Sequence, residues 1–99
     1  MPQFKAVAIG AGYFAQFHYD AWSRIPEVQI TALCDLDPQR AEETRAKFDI
    51  PRRYGDVGEM LDAEQPDFVD IITPPPTHLA LIQETARRGL ATICQKPLA

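Results

Sequence analysis

The segment Gly10-Ala11-Gly12-Tyr13-Phe14-Ala15 follows a short apolar run, Phe4 to Ile9, and opens a stretch of helical spacing. Two glycines at this junction have a specific chemical use. Gly10 lets the chain turn sharply, and Gly12 lets backbone N–H groups approach a ligand with no Cβ in the way. A small residue at Ala15 keeps the helix close to the strand. The first amides of a helix have no partner inside it, and the helix dipole adds about half a positive charge there. Such a turn suits a doubly charged pyrophosphate. A glycine pair alone could equally be a plain turn. Its place at the end of a first strand, before a helix and a second strand, favours dinucleotide binding.

The second strand then ends in an acid, Asp35, which lies 25 residues after Gly10. A carboxylate at that position can accept both hydroxyls of an adenosine ribose and would repel a 2′-phosphate, which points to NAD over NADP. Arg40, one helical turn farther on, is placed either to meet a 2′-phosphate or to join Glu42 or Glu43 on the surface. Tyr13 and Phe14 could shield a cofactor, and His18 reads as a partly buried, hydrogen-bonded helical histidine. Thr73-Pro74-Pro75-Pro76-Thr77 has neither helical freedom nor the N–H groups for a ladder, so it is a rigid loop. It sits at the C-terminal end of the fourth strand, where open α/β sheets bind ligands, and His78 follows it as either a cap or a cofactor contact.

Five short apolar runs alternate with helix-like stretches and position these groups. The strands are Phe4 to Ile9, Val28 to Cys34, a weak edge run from Ile50 to Tyr54 containing Pro51, Phe68 to Thr73, and Ala91 to Cys94. Asp70 is the one awkward residue in the fourth. A first helix from Tyr13 to Ile25 carries Phe14, Phe17, Ala21, Trp22 and Ile25 at helical spacing and stops at Pro26. Asp37-Pro38 reads as an N-cap with proline in the first turn of a second helix. That helix runs to about Phe48, with Ala41, Thr44 or Arg45, and Phe48 inward. Asp56 to Ala63 makes a third, short helix. The fourth, His78 to Arg88, puts Leu79, Ile82 and Ala86 inward and is capped by Gly89. Alternating strands and helices predict an α/β, doubly wound Rossmann-type parallel sheet of order 3-2-1-4-5.

The chain has 99 residues, 45% of them hydrophobic and 24% charged, which suits one soluble domain. Its net charge of −4 leaves no basic field for a phosphate backbone, so nucleic acid is not an expected partner. Neither a membrane span nor a cleavable signal is evident, and a cytoplasmic protein is expected. Cys34 and Cys94 lie at the ends of strands separated by two others, ~14 Å apart at ~4.8 Å per strand, beyond disulfide reach. Two reduced thiols are expected. No spacing of Cys and His suggests a metal site.

The run of GAGYFAQFH, CDLDPQRA, ITPPPTH and CQKPLA, in that order and over essentially the whole chain, resembles the N-terminal domain of the glucose–fructose oxidoreductase/inositol dehydrogenase (Gfo/Idh/MocA) family. The resemblance implies that residues 1–99 are an incomplete dinucleotide-binding domain, cut after its fifth strand, whose substrate domain lies outside this chain. It implies hydride transfer between nicotinamide and a sugar, polyol or related small molecule, and a homo-oligomer. The loop matching Thr73, Pro74, Pro75 and His78 would lie along the nicotinamide half of the cofactor. The family's Glu-Lys-Pro falls on Gln95, Lys96 and Pro97, giving Gln95 a ribose contact and Lys96 both a cofactor contact and the catalytic role. Gln95 departs from the family's glutamate: it can still bond ribose hydroxyls but brings no charge to Lys96. That substitution keeps a second reading open, a non-catalytic dinucleotide-sensing regulator on the same fold.

Overall fold

The computed structural model describes residues 4–12, 15–72 and 78–94, the side chains of His78 and Cys94 excepted. Five strands, β1 (Phe4–Ile9), β2 (Val28–Cys34), β3 (Arg52–Tyr54), β4 (Phe68–Ile71) and β5 (Ala91–Cys94), form one parallel sheet in the order β3-β2-β1-β4-β5. Helices α1 (Ala15–Ser23), α2 (Pro38–Lys47), α3 (Val57–Glu64) and α4 (His78–Arg87) connect them. This is the expected doubly wound order, with both sheet faces covered as a parallel sheet requires. One layer joins Ala8, Leu33, Ala11, Ala15, Tyr19, Ala41 and Ile50 under α1 and α2. The other joins Val7, Ile9, Ala32, Cys34, Val69 and Ile71 to Met60 and Leu61 of α3.

The ends of the elements follow local chemistry. Asp37 caps α2, its side chain accepting from the Gln39 and Arg40 amides, with Pro38 in the first turn. Asp56 caps α3 by accepting from the Glu59 amide. The helix α4 closes on Gly89 at φ 71°, with Gly89 N–H bonded to Ala86 O and Leu90 N–H to Thr85 O, the paired pattern of a left-handed C-terminal cap. Asp49 (φ 55°) plays the same part after α2. In β2, Ala6 pairs with Ile30 but Val7 with Ala32, so Thr31 is an extra residue bulged into the strand.

Two helix faces differ from the expected ones. In α1 the buried residues are Ala15 and Tyr19, flanked by half-buried His18 and Trp22, while Phe17 is 61% exposed and Ala21 and Ile25 are also exposed. The sheet beneath offers polar acceptors, and polar-tipped side chains that reach them displace the purely apolar phase. In α4, Leu79 is 67% exposed, and Ile82 and Ala86 face outward too. Thr85 is buried instead, with Leu81 packed on the core. The Thr85 hydroxyl donates to Ile82 O and accepts from the Thr92 hydroxyl, which removes the cost of burying it. The third strand is shorter than expected, because Ile50 is a core residue ahead of it and Pro51 cannot donate to a ladder. The helix at α1 starts at Ala15 among the described residues, and β4 ends at Ile71.

At the far edge, Glu64 closes α3 onto β3. Its carboxylate, 2% exposed, accepts from Arg52 Nε at 2.5 Å, Arg52 Nη2 at 2.8 Å and the Tyr54 hydroxyl at 2.7 Å. The Arg52 fork holds its carboxyl down to about 2 against the opposing effect of burial, with the Tyr54 hydroxyl helping.

Candidate cofactor site

The C-terminal ends of β1 and β2 meet at the glycine turn. Gly10 leaves β1 at φ 117°, a conformation that favours glycine, and its N–H donates to Cys34 O at 2.8 Å. Asp35, next along from Cys34, reaches across to the turn. Its Oδ2 accepts from the Ala11 N–H at 2.8 Å and its Oδ1 from the Asp37 N–H at 2.8 Å. The acid expected to bind a ribose is therefore also the tie between the two strand ends.

Three carbonyls of the turn are fastened on the protein side. The buried Tyr19 hydroxyl donates to Gly10 O at 2.7 Å. Gln16 Nε2 lies 3.3 Å from both Ala11 O and Gly12 O, and 3.1 Å from the hydroxyl of buried Thr44. Ala15 N–H also donates to Gly12 O at the start of α1. A Cβ added to Gly12 would meet nothing within 4 Å. The turn thus presents open space beside an unhindered backbone, the fit an anion needs.

Among the described residues Arg40 pairs with neither Glu42 nor Glu43. Its Nη2 lies 3.6 Å from Asp35 Oδ1, while Glu42 pairs with Arg45 and Arg53. Leu36, passed over in the sequence, is 91% exposed beside Asp35. A leucine directly after the strand-ending acid was the available signal. Tyr19 and Gln16 were missed as well, because neither belongs to the glycine motif. Burial raises the Tyr19 hydroxyl far above its ordinary range, with Asp70 and Asp35 adding to it, so it stays a proton donor. The Cys34 thiol, free and buried, is pushed up to about 11, by burial first and then by Asp35 and Asp56.

His18 is the hydrogen-bonded helical histidine that its position suggested. Its Nδ1 lies 3.0 Å from Asp70 Oδ2, which also accepts from Trp22 Nε1 at 2.7 Å. This resolves the awkward acid in β4: Asp70 is fully buried beneath α1, although its Oδ1 has no hydrogen-bond partner among the described residues. Gly10, Gly12, Ala15, Asp35 and Arg40 are brought together around the turn. Tyr13, Phe14, Thr73, Pro74, Pro75, Gln95 and Lys96 lie outside the described residues, as does the His78 side chain, although His78 does begin α4. Among the described residues no group of three or more His, Cys, Asp or Glu could hold a metal ion, and no helix is long and apolar enough to cross a membrane.

A parallel sheet with a glycine turn at the end of β1 and an acid at the end of β2 defines a dinucleotide-binding Rossmann domain. The chain belongs to the Gfo/Idh/MocA family, whose model, described as an oxidoreductase family with an NAD-binding Rossmann fold, matches residues 4–99. It is 46% identical over 97 residues to a D-apiose dehydrogenase of Paraburkholderia graminis, covering 98% of this chain and 26% of that protein. A D-apiose dehydrogenase of Rhizobium rhizogenes is 39% identical over 99 residues, 100% of this chain and 29% of that protein. Among solved structures, an oxidoreductase from Agrobacterium radiobacter in complex with NAD+, L-tartaric acid and magnesium superposes with a TM-score of 0.91 at 39% identity. That match covers 98% of this chain and 28% of the other. The chain thus spans less than a third of the length of these relatives.

Proposed function

We propose that this chain binds NAD and forms the dinucleotide-binding part of an oxidoreductase acting on a carbinol carbon of a sugar or polyol. The observation that carries the reading is the bond from the Ala11 N–H to Asp35 Oδ2, which sets an acid against the glycine turn at the mouth of the sheet. The turn and the first amides of α1 would hold the pyrophosphate. Asp35 has lone pairs left to accept the ribose hydroxyls, and Leu36 offers an exposed apolar surface beside it for the adenine. Bound NAD supplies a nicotinamide C4 that takes up a hydride. On the family pattern, Thr73, Pro74, Pro75 and His78 line the nicotinamide half, Gln95 bonds the adjacent ribose, and Lys96 holds a proton at the substrate oxygen. The two D-apiose dehydrogenases among the relatives make a small sugar the first substrate to try.

Calorimetric titration with NAD and NADP tests this reading. Asp35 repels a 2′-phosphate, and Arg40 is already engaged with Asp35, so NAD is expected to bind more tightly. Asp35→Ala should weaken NAD and narrow the gap between the two. Tighter binding of NADP by the unaltered chain would overturn the assignment of Asp35 and shift it to Arg40.

A further inference from the structure

We propose that Tyr19 and Gln16 are positioning residues for the glycine turn: Tyr19 fastens it to the core opposite Asp35, and Gln16 holds the next carbonyls toward the protein so that the Gly12 amide faces away from it, toward a phosphate. The inference rests on the dinucleotide reading above and adds to it two residues outside the glycine motif. In a trans peptide the C=O and the following N–H point in opposite directions. Fastening Gly10 O to the Tyr19 hydroxyl therefore turns the Ala11 N–H the other way, onto Asp35 Oδ2, which locks the turn to the end of β2. Fastening Ala11 O to Gln16 turns the Gly12 N–H outward in the same way. A Cβ at Gly12 would meet nothing within 4 Å, so the backbone there is open to a ligand.

The fastening matters because glycine peptides rotate easily. A two-glycine turn can swing a carbonyl outward, and that oxygen would face the anion with negative charge in place of an N–H. Tyr19 is well placed to prevent this. Its ring is fixed in the core against Phe48, with centroids 5.6 Å apart, and its hydroxyl is 2.7 Å from the Gly10 carbonyl. Gln16 is held in turn by Thr44 of α2, so the second helix braces the turn through it.

Tyr19→Phe keeps the ring and removes only the hydroxyl. Losing one buried hydrogen bond, about 1 kcal/mol, corresponds to roughly fivefold weaker binding of NAD and of ADP-ribose. Adenosine, which carries no phosphate, should lose less affinity in the variant than ADP-ribose does in an NMR titration. Replacement of Tyr19 by 4-aminophenylalanine restores a donor and should restore affinity. A readout free of ligand accompanies these: the Ala11 amide should exchange with solvent faster in Tyr19→Phe. If that variant does not fold, Gln16→Met, which alters a half-buried side chain, decides by the same titrations, with several-fold weaker ADP-ribose expected. Unchanged ADP-ribose affinity and unchanged amide exchange in a folded variant would overturn the proposal. An unaltered chain that binds neither NAD nor ADP-ribose would instead overturn the dinucleotide reading, and amide exchange would still decide whether Tyr19 holds the turn.

Discussion

Glu64→Gln removes one charge from the carboxylate that fastens α3 to the edge strand β3, and the structure allows its cost to be worked out. The carboxylate accepts three hydrogen bonds, two from the Arg52 fork and one from Tyr54, and is itself buried. Arg52 is half exposed, so it loses little hydration in the pair. Glutamine retains one oxygen as acceptor and sets an amide NH2 against the guanidinium. Charged hydrogen bonds contribute about 1.5–3 kcal/mol, so about 2 kcal/mol is expected to be lost. For a domain of this size about 1 kcal/mol moves Tm by roughly 4–8 °C, which gives a fall on the order of 10 °C by scanning calorimetry at pH 7. The acid limb supplies a second reading. The folded-state pKa of Glu64 is lowered from its ordinary 4.5 to about 2. Its stabilisation is therefore complete above about pH 4.5 and drains away as the pH falls toward 2. The difference in Tm between the two chains should shrink over that window. Equal Tm values at pH 7, or a difference that persists unchanged to pH 2, would refute the account of Glu64 as a charged latch.

Two further outcomes are expected. Gln65 ends α3 in the left-handed region at φ 47°, where glycine carries no steric penalty, so Gln65→Gly should raise stability by about 0.5–1 kcal/mol, and a lower Tm would contradict the strain assigned to that cap. On the oxidoreductase reading proposed above, Lys96→Met should lower kcat on the order of a hundredfold and weaken NAD far less, and wild-type turnover would remove Lys96 from the chemistry.

Strand order, the glycine turn and Asp35 were legible in the sequence because each depends on local pattern: an apolar run, a turn that needs glycine, an acid at a strand end. The capped start of α2 at Asp37-Pro38 was legible for the same reason. What escaped were the groups whose burial depends on a partner distant in sequence. Tyr19 turns inward because Gly10 O waits beneath it, and Phe17, the more apolar residue, turns out. Thr85 displaces Leu79 and Ile82 from the inner face of α4 because Thr92 on β5 answers its hydroxyl. Arg40 was offered a 2′-phosphate or one of two surface acids, yet from the first turn of α2 its side chain reaches back to Asp35.

The bulge at Thr31 bears on how motif spacings are counted. Had β2 paired residue for residue from Val28, the chain would reach the glycine turn one residue early. Cys34 would then stand opposite Gly10, and every side chain beyond Thr31 would face the opposite layer. The strand instead takes up the surplus residue in mid-course, and the hydrophobic layers record it: Ile30 and Leu33 share one face, while Ala32 and Cys34 share the other. The interval between the glycines and the acid, counted along the chain, therefore includes slack that the sheet does not transmit. Motif definitions that fix this interval to a set number of residues would reject a domain whose two ends lie in ordinary register.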